Sequence, residues 1–251
     1  MTDPRKPIFD AVRAAAPAGL FNDPGNVLAL DNLLDAWGIP RDSASGHRLG
    51  SLSERYESGG RGPGTVSSGK GDPGGVSYGL YQLASKTGTV AAFIAAEGKR
   101  WALELDGFPG TAEFTAAWKA IAAREPAAFA DAQHAFIERT HYRPCVDKVK
   151  TRTGLDLDRR PDAVRDVVWS CAVQHGRAAD IICTAIAKVD AMPGRNSKDY
   201  DRSLIGAIYD ARTAYVKKLM VGAASGAAAT FRTLIDSRYP DEREKALEML
   251  A

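Results

Sequence analysis

The sequence predicts a mainly α-helical fold with a small β-hairpin, and three observations carry the prediction. Beyond residue 84, apolar residues recur at helical spacing with few interruptions. Boundary signals punctuate that region: Thr111 opens T-A-E-F, and Pro126 and Pro161 stand where first-turn prolines belong. The stretch without helical periodicity is short and rich in glycine, with nine glycines between positions 59 and 79. It closes on an extended run, Val76 to Leu83.

In chain order, residues 6–38 read as two helices. Ile8, Val12 and Ala15 line one face of the first. Asn22 or Asp23 caps the second, which carries Val27, Leu28, Leu30, Leu33, Leu34 and Trp37 and stops at Gly38-Ile39-Pro40. Residues 41–50 are polar and read as a linker. The expected organisation is therefore an N-terminal helical segment, 1–45, for wall targeting or packing, and a main domain, 46–251. Ser51 and Glu54 form an S-x-x-E capping box that starts a helix ending at Gly59-Gly60. Val76–Leu83 is a strand that Thr65–Ser68 can pair with as a hairpin. Helices are then expected over 85–98, 111–123, 125–142, 161–175, 177–190, 199–221, 225–237 and 240–250. At 251 residues with 45% apolar content, the chain is long enough for a normal core.

Composition excludes several classes. A formal charge of +2 rules out a strongly polyanion-binding protein, so no nucleic-acid partner is expected, although mild attraction to an anionic polymer is allowed. Cys145, Cys171 and Cys183 do not make a disulfide framework; Cys171 and Cys183 lie in apolar helical sequence and read as buried thiols. No cysteine–histidine cluster has metal-ligand spacing. Asp156, Asp158 and Asp162 lack calcium-loop spacing and read as a solvated turn. No metal and no cofactor are expected. The N-terminus lacks the apolar core of a Sec signal, and no run of about 18 apolar residues could span a membrane.

The chemistry concentrates in Ser51 to Leu83. Glu57 falls in the last turn of the helix that Ser51 opens, where the dipole's negative end and apolar neighbours both favour a neutral carboxyl. The glycines behind it let backbone approach a ligand closely. Tyr78-Gly79-Leu80-Tyr81-Gln82 follows. A helix-end glutamate, a glycine-rich loop and an aromatic–amide segment suit a sugar-cleaving cleft. A second patch, Val167 to Gly176, ends in Gln174-His175-Gly176, with Ser170 and Gln174 on one helix face. His47, His134 and His141 show no partner pattern. Arg232, Arg238, Tyr239, Glu242 and Arg243 form a charged–aromatic cluster that either joins the last helices or touches anionic peptides.

Glu57-Ser58-Gly59, then a glycine loop, then Gly79-Leu80-Tyr81-Gln82 with Thr87 resembles the lysozyme-like superfamily. The similarity is to its soluble lytic transglycosylase and goose-type lysozyme branch, in the style of phage endolysins. The loop is a few residues longer than usual, and Tyr81 stands where methionine is common. The resemblance implies a lysozyme-like helical domain with its hairpin beside the cleft. It further implies cleavage of the β-1,4 bond between N-acetylmuramic acid and N-acetylglucosamine, with Glu57 as general acid. Asp72 is the nearest second carboxylate, although Asp72-Pro73-Gly74 is also a common turn. If Asp72 faces Glu57 across a water, an inverting muramidase follows; if not, a lytic transglycosylase. Ser67, Ser68, Tyr78, Tyr81, Gln82, Gln174 and His175 are the candidate substrate contacts. Gln82 matches the glutamine that supports the floor of the site.

Two other classes stay open: a wall-binding module that has lost activity, and an enzyme on chitin or chitosan. Arg61 and Lys70 make the loop basic, which favours an anionic wall polymer over cationic chitosan. The expected partner is the peptidoglycan glycan strand, met as a monomer in the periplasm or on the wall. Without a Sec signal, delivery from the cytoplasm falls to a holin, a virion or a secretion system such as type VI.

Overall fold

The computed structural model describes residues 5–17, 19, 20, 26, 29, 30, 33, 34, 37, 39, 48–53, 62–191, 194, 195 and 197–250. The chain divides into two compact units, Met1–Arg48 and Leu49–Ala251.

In the first unit, α1 (Lys6–Ala15) starts with proline in its first turn. The buried Arg5 side chain donates from Nε to the Ile39 carbonyl (3.0 Å), close to fully buried Leu34. Residues 29, 30, 33 and 34 are helical. The proposed caps Asn22 and Asp23, with Val27, Leu28, Gly38 and Pro40, lie outside the described residues.

The second unit is mainly α, and its described residues form one two-stranded sheet. β1 (Ser77–Tyr78) pairs antiparallel with β2 (Leu83–Ala84), in the register Ser77 to Ala84 and Tyr78 to Leu83. Val66 adds an isolated bridge to Tyr78, so the expected pairing with Thr65–Ser68 shrinks to that bridge. The helices are α2 (Thr89–Ala95), α3 (Ala112–Arg124), α4 (Pro126–Ile137), α5 (Arg143–Thr153), α6 (Asp162–Gln174), α7 (Ala178–Val189), α8 (Lys198–Met220), α9 (Ser225–Thr233) and α10 (Tyr239–Glu248). α2 starts later than residue 85 because β2 and a turn occupy the intervening positions.

Thr111 caps α3 by accepting from the Phe114 amide (3.2 Å), and Pro126 opens α4. Pro161 is the N-cap residue of α6, one position before the first turn where it was expected. α5 was not among the expected helices, which left residues 143–160 without one. The chain instead passes through a π-helical turn, Glu138–Tyr142, in which the Arg143 amide bonds the Glu138 carbonyl. A second π turn, Leu234–Arg238, leads into α10 just before Pro240. A proline ring inside a regular helix strikes the carbonyl four residues back. The wider π turn relieves that clash, so both prolines bend the path without ending the helix.

The core is aromatic around α2–α4 and aliphatic where α7 lies on α8. Trp118 and Phe129 pack at 4.6 Å between centroids, and Trp101 meets Phe129 edge-on at 4.8 Å. Ile182, Ile186, Leu204, Ile205 and Ile208 are each at most 1% exposed. Cys145, Cys171 and Cys183 are free and buried. Burial pushes the Cys145 thiol up to about 12, so it is an inert packing group at neutral pH. Among the described residues, no helix is long and apolar enough to cross a membrane.

Candidate functional site

The described residues between Gly50 and Ser85, 50–53 and 62–85, have little regular structure of their own, so their shape depends on what holds them. Two buried polar side chains of the helical body do so. The first is Asp166 on α6, which is fully buried. Its carboxylate accepts from the Gly50 amide (2.7 Å), the Leu52 amide (3.0 Å) and the Ser51 hydroxyl (3.1 Å). A helix start leaves its first amides without partners, and a carboxylate there is also favoured by the dipole. Residues 51–53 are helical, and their start is therefore capped by a residue 116 positions from Gly50. Ser51 acts as a donor to that cap, a correction to the capping box. The other half of the box, Glu54, and the helix end Glu57-Ser58-Gly59-Gly60 with Arg61 lie outside the described residues. Gly50 itself has φ +86, and an added Cβ would come within 2.5 Å of the Trp169 indole nitrogen, so glycine is required.

The second anchor is Gln133 on α4, also fully buried. Its Oε1 accepts from the Leu80 amide (2.9 Å) and its Nε2 donates to the Pro63 carbonyl (3.2 Å). Pro63 also accepts from the Trp118 indole N–H (2.9 Å). One amide side chain thus ties together the two ends of the loop that carries Asp72.

Asp72 is exposed and forms the turn that its sequence allows: Oδ1 accepts from the Gly74 amide (2.7 Å), and the Gly75 amide bonds the Asp72 carbonyl (2.9 Å). Ser67 is spent on the hairpin, its Oγ accepting from the Ser77 amide (2.9 Å). Ser68 is exposed and accepts from the Lys70 amide (3.4 Å). Tyr78 is not a surface contact. It is fully buried between Phe114 and Trp118, each at 5.2 Å, and its hydroxyl meets Thr115 Oγ1 (2.8 Å) and the Gly110 amide (2.9 Å). An aromatic body with a satisfied hydroxyl is a good core residue, so Tyr78 packs inside where a substrate contact was expected.

Tyr81 and Gln82 sit at the tip of the hairpin, at the opposite end from Asp72. Tyr81 is half-buried, with its hydroxyl on His134 Nδ1 (2.8 Å). The His134 ring stacks on buried Trp169 at 4.4 Å. Gln82 holds φ +52, rare for a non-glycine residue, and its Nε2 donates back to the Gly79 carbonyl (2.9 Å). Its side chain closes its own turn, a structural use. Gly79 (φ +77) lies so close to Gln133 that an added Cβ would be 2.1 Å from Oε1. Gly79→Ala combines left-handed strain with displacement of a buried acceptor, and should cost on the order of 2–4 kcal/mol. Urea unfolding checks this; a midpoint unchanged from wild type would contradict the Gln133 anchor.

Gln174 and His175 face α8 and α10, not the hairpin. Gln174 Oε1 accepts from Arg212 (2.7 Å) and from the Tyr239 hydroxyl (2.8 Å), and His175 Nε2 meets the same hydroxyl (3.0 Å). Burial first, then the Arg212 and Arg238 cations, push the His175 pKa down to about 3, so it stays neutral at physiological pH. Both side chains, expected as substrate contacts, are used within the helical body. Ser170 and Gln174 do share a face, and that face meets Arg212 and Glu242. Asp156, Asp158 and Asp162 pair with Lys150 (2.8 Å), Arg143 (2.7 Å) and Arg165 (3.1 Å). Among the described residues, no group of three or more His, Cys, Asp or Glu side chains could hold a metal ion.

Sequence reasoning missed Asp166, Gln133 and His134. Only Asp166 left a signal, as an acid next to Arg165 in otherwise apolar sequence from Val164 to Trp169, where a buried charge needs partners.

The family described as type VI secretion system spike protein VgrG3-like, C-terminal, matches residues 49–239. The chain belongs to this VgrG3-like C-terminal family. The match begins where the second unit begins and covers Glu57, Asp72 and both anchors. The type VI secretion system spike protein VgrG3 of Vibrio cholerae serotype O1 (strain ATCC 39315 / El Tor Inaba N16961) is 37% identical over 198 residues. That alignment covers 78% of this chain but 19% of the relative, so the chain spans about a fifth of the protein it matches. Membership in the VgrG3-like family overturns the assignment to the soluble lytic transglycosylase and goose-type lysozyme branch, and with it the endolysin comparison. The short Glu-Ser-Gly and Gly-Leu-x-Gln strings that carried that assignment cover too little of the chain to decide a family.

Proposed function

We propose that this VgrG3-like chain cleaves peptidoglycan glycan strands, hydrolysing the β-1,4 bond between N-acetylmuramic acid and N-acetylglucosamine. The observation that carries the reading is the pair of buried anchors. Asp166 holds the start of the segment leading to Glu57, and Gln133 holds both ends of the loop bearing Asp72. A glycine-rich segment fixed from two buried, hydrogen-bonded side chains has the support that a catalytic constellation requires.

In the proposed reaction Glu57 gives its proton to the glycosidic oxygen as the bond to the sugar C1 breaks. Asp72 takes a proton from the water whose oxygen attacks C1 from the opposite face. The new reducing end has inverted configuration; Asp72 then releases its proton to solvent and Glu57 takes one back, which restores both groups. An exposed carboxylate with one oxygen fixed on the Gly74 amide is suited to orient that water. Delivery is proposed to run through a type VI secretion apparatus, as the relative's description as a spike protein suggests.

Digestion of purified peptidoglycan, with mass spectrometry of the products, tests the reading. Reducing muramic ends are expected. Anhydro ends would replace the Asp72 step with attack by the muramic 6-hydroxyl, and no release would sink the enzymatic reading. Asp72→Asn keeps an acceptor for the Gly74 amide, so its turn should survive while its rate falls by roughly 100-fold or more.

A further inference from the structure

The loop between Ala102 and Thr111 exposes two large apolar side chains: Leu103 is 95% exposed and Phe108 is 84% exposed. The loop is nonetheless held firmly. The Phe108 carbonyl accepts from the Thr111 amide (3.2 Å), and the Gly110 amide donates to the buried Tyr78 hydroxyl (2.9 Å). Glu104 is paired with Arg124 through two bonds of 2.8 Å. Pro109 restricts the backbone of Phe108 to extended conformations.

This loop is a neighbour of the Asp72 turn, with Ser85 between them. A Cβ on Gly110 would lie 3.6 Å from Ser85 Oγ. The same Oγ donates to the Gly74 carbonyl (3.5 Å), and the Gly74 amide is the one that fixes Asp72. Asp106 in the same loop is exposed, as are Lys86 and Thr87, which follow Ser85 in the chain. An exposed ring on an anchored loop, with Leu103 as the loop's other exposed large apolar side chain and charged Asp106 two positions before Phe108 in the chain, suits a sugar better than a protein or lipid, which would ask for a larger contiguous apolar patch.

We propose that Phe108 is a stacking platform for a sugar ring and forms a glycan subsite beside the Asp72 turn. The proposal rests on the peptidoglycan reading above and names a residue that extends its site. The face of the phenyl ring is electron-rich, and the axial C–H groups of a pyranose carry partial positive charge, so the two attract beyond the area they bury. Because the loop backbone is already held by hydrogen bonds, little backbone entropy is lost when the ring is covered.

The test compares wild type, Phe108→Ala and Phe108→Trp in two assays: co-sedimentation with purified intact sacculi, and KM and kcat on soluble glycan strands. Phe108→Ala should weaken sacculus binding roughly tenfold and raise KM by a similar factor, with kcat and thermal midpoint kept, and Phe108→Trp should restore both. Wild-type binding by Phe108→Ala overturns the platform, as does failure of tryptophan to rescue. If wild type binds sacculi through Phe108 but releases nothing, the enzymatic reading falls and the platform stands. If wild type does not bind sacculi, both fall.

Discussion

Glu57→Gln is expected to lose at least about 100-fold in glycan release while remaining as stable as the wild type. The reasoning is chemical. A carboxylic acid can place a proton on the leaving oxygen, and an amide of nearly the same shape cannot. The anchors of the segment should not notice the change. Asp166 bonds Gly50, Ser51 and Leu52, and Gln133 bonds Pro63 and Leu80; none of these bonds involves residue 57. The check is muropeptide release alongside a thermal melt. A folded variant with half the wild-type rate would remove Glu57 from the proposed mechanism. An unfolded one would show that Glu57 has a packing role, and comparison with Glu57→Asp would then test its acid chemistry in a charge-conserving background.

The largest stability effect should come from Glu242→Gln. Arg212 and Glu242 are both fully buried, with 3.4 Å between Arg212 Nη1 and Glu242 Oε2. Ser170 donates to the same oxygen (2.9 Å), as does the Tyr209 hydroxyl (3.1 Å), and Arg238 Nε reaches Glu242 Oε1 (2.7 Å). The Arg212 guanidinium also lies over the Tyr239 ring at 4.4 Å and the Tyr209 ring at 5.0 Å. Arginine cannot shed its proton, so without Glu242 its charge stays buried beside aromatic faces and neutral acceptors alone. Breaking a buried pair from one side costs about 3–5 kcal/mol. Typical domains have only about 5–15 kcal/mol in total.

Arg212→Met should cost less, because Arg238 still compensates Glu242. The double variant should be more stable than Glu242→Gln alone. Urea midpoints measure all three; a Glu242→Gln midpoint within error of wild type would refute the account. The network has a functional consequence. It holds α6, and α6 carries Asp166, the anchor of the segment leading to Glu57. Glu242→Gln should therefore lose activity on warming, well before any loss is seen in the cold.

Much of the fold was legible in the sequence because its signals are local. Helical spacing located α3, α4, α6, α7 and α8, and Thr111 caps α3 as its side chain suggested. Asp72-Pro73-Gly74 turns as the aspartate side chain allows. The helix over Arg143–Thr153 was not expected; a π turn ahead of Pro144 carries the chain into it, and a second π turn leads into the helix expected from residue 240. The candidate site was less legible. Tyr78 looked like a surface aromatic and is core, while Gln174 and His175 looked like a cleft margin and belong to the Arg212 network.

By itself, then, the sequence determined the helical class and the buried thiols of Cys171 and Cys183, and it marked Ser51 to Leu83 as the candidate segment. Each follows from residues close together in the chain, where periodicity, caps and glycine content act directly. Only the tertiary structure decided what holds that segment. Gly50 meets Asp166 across 116 positions and Leu80 meets Gln133 across 53. A hydrogen bond between residues so far apart leaves no local pattern. It exists because packing α4 and α6 into the core buries two polar side chains that must find partners, and the glycine-rich segment supplies them.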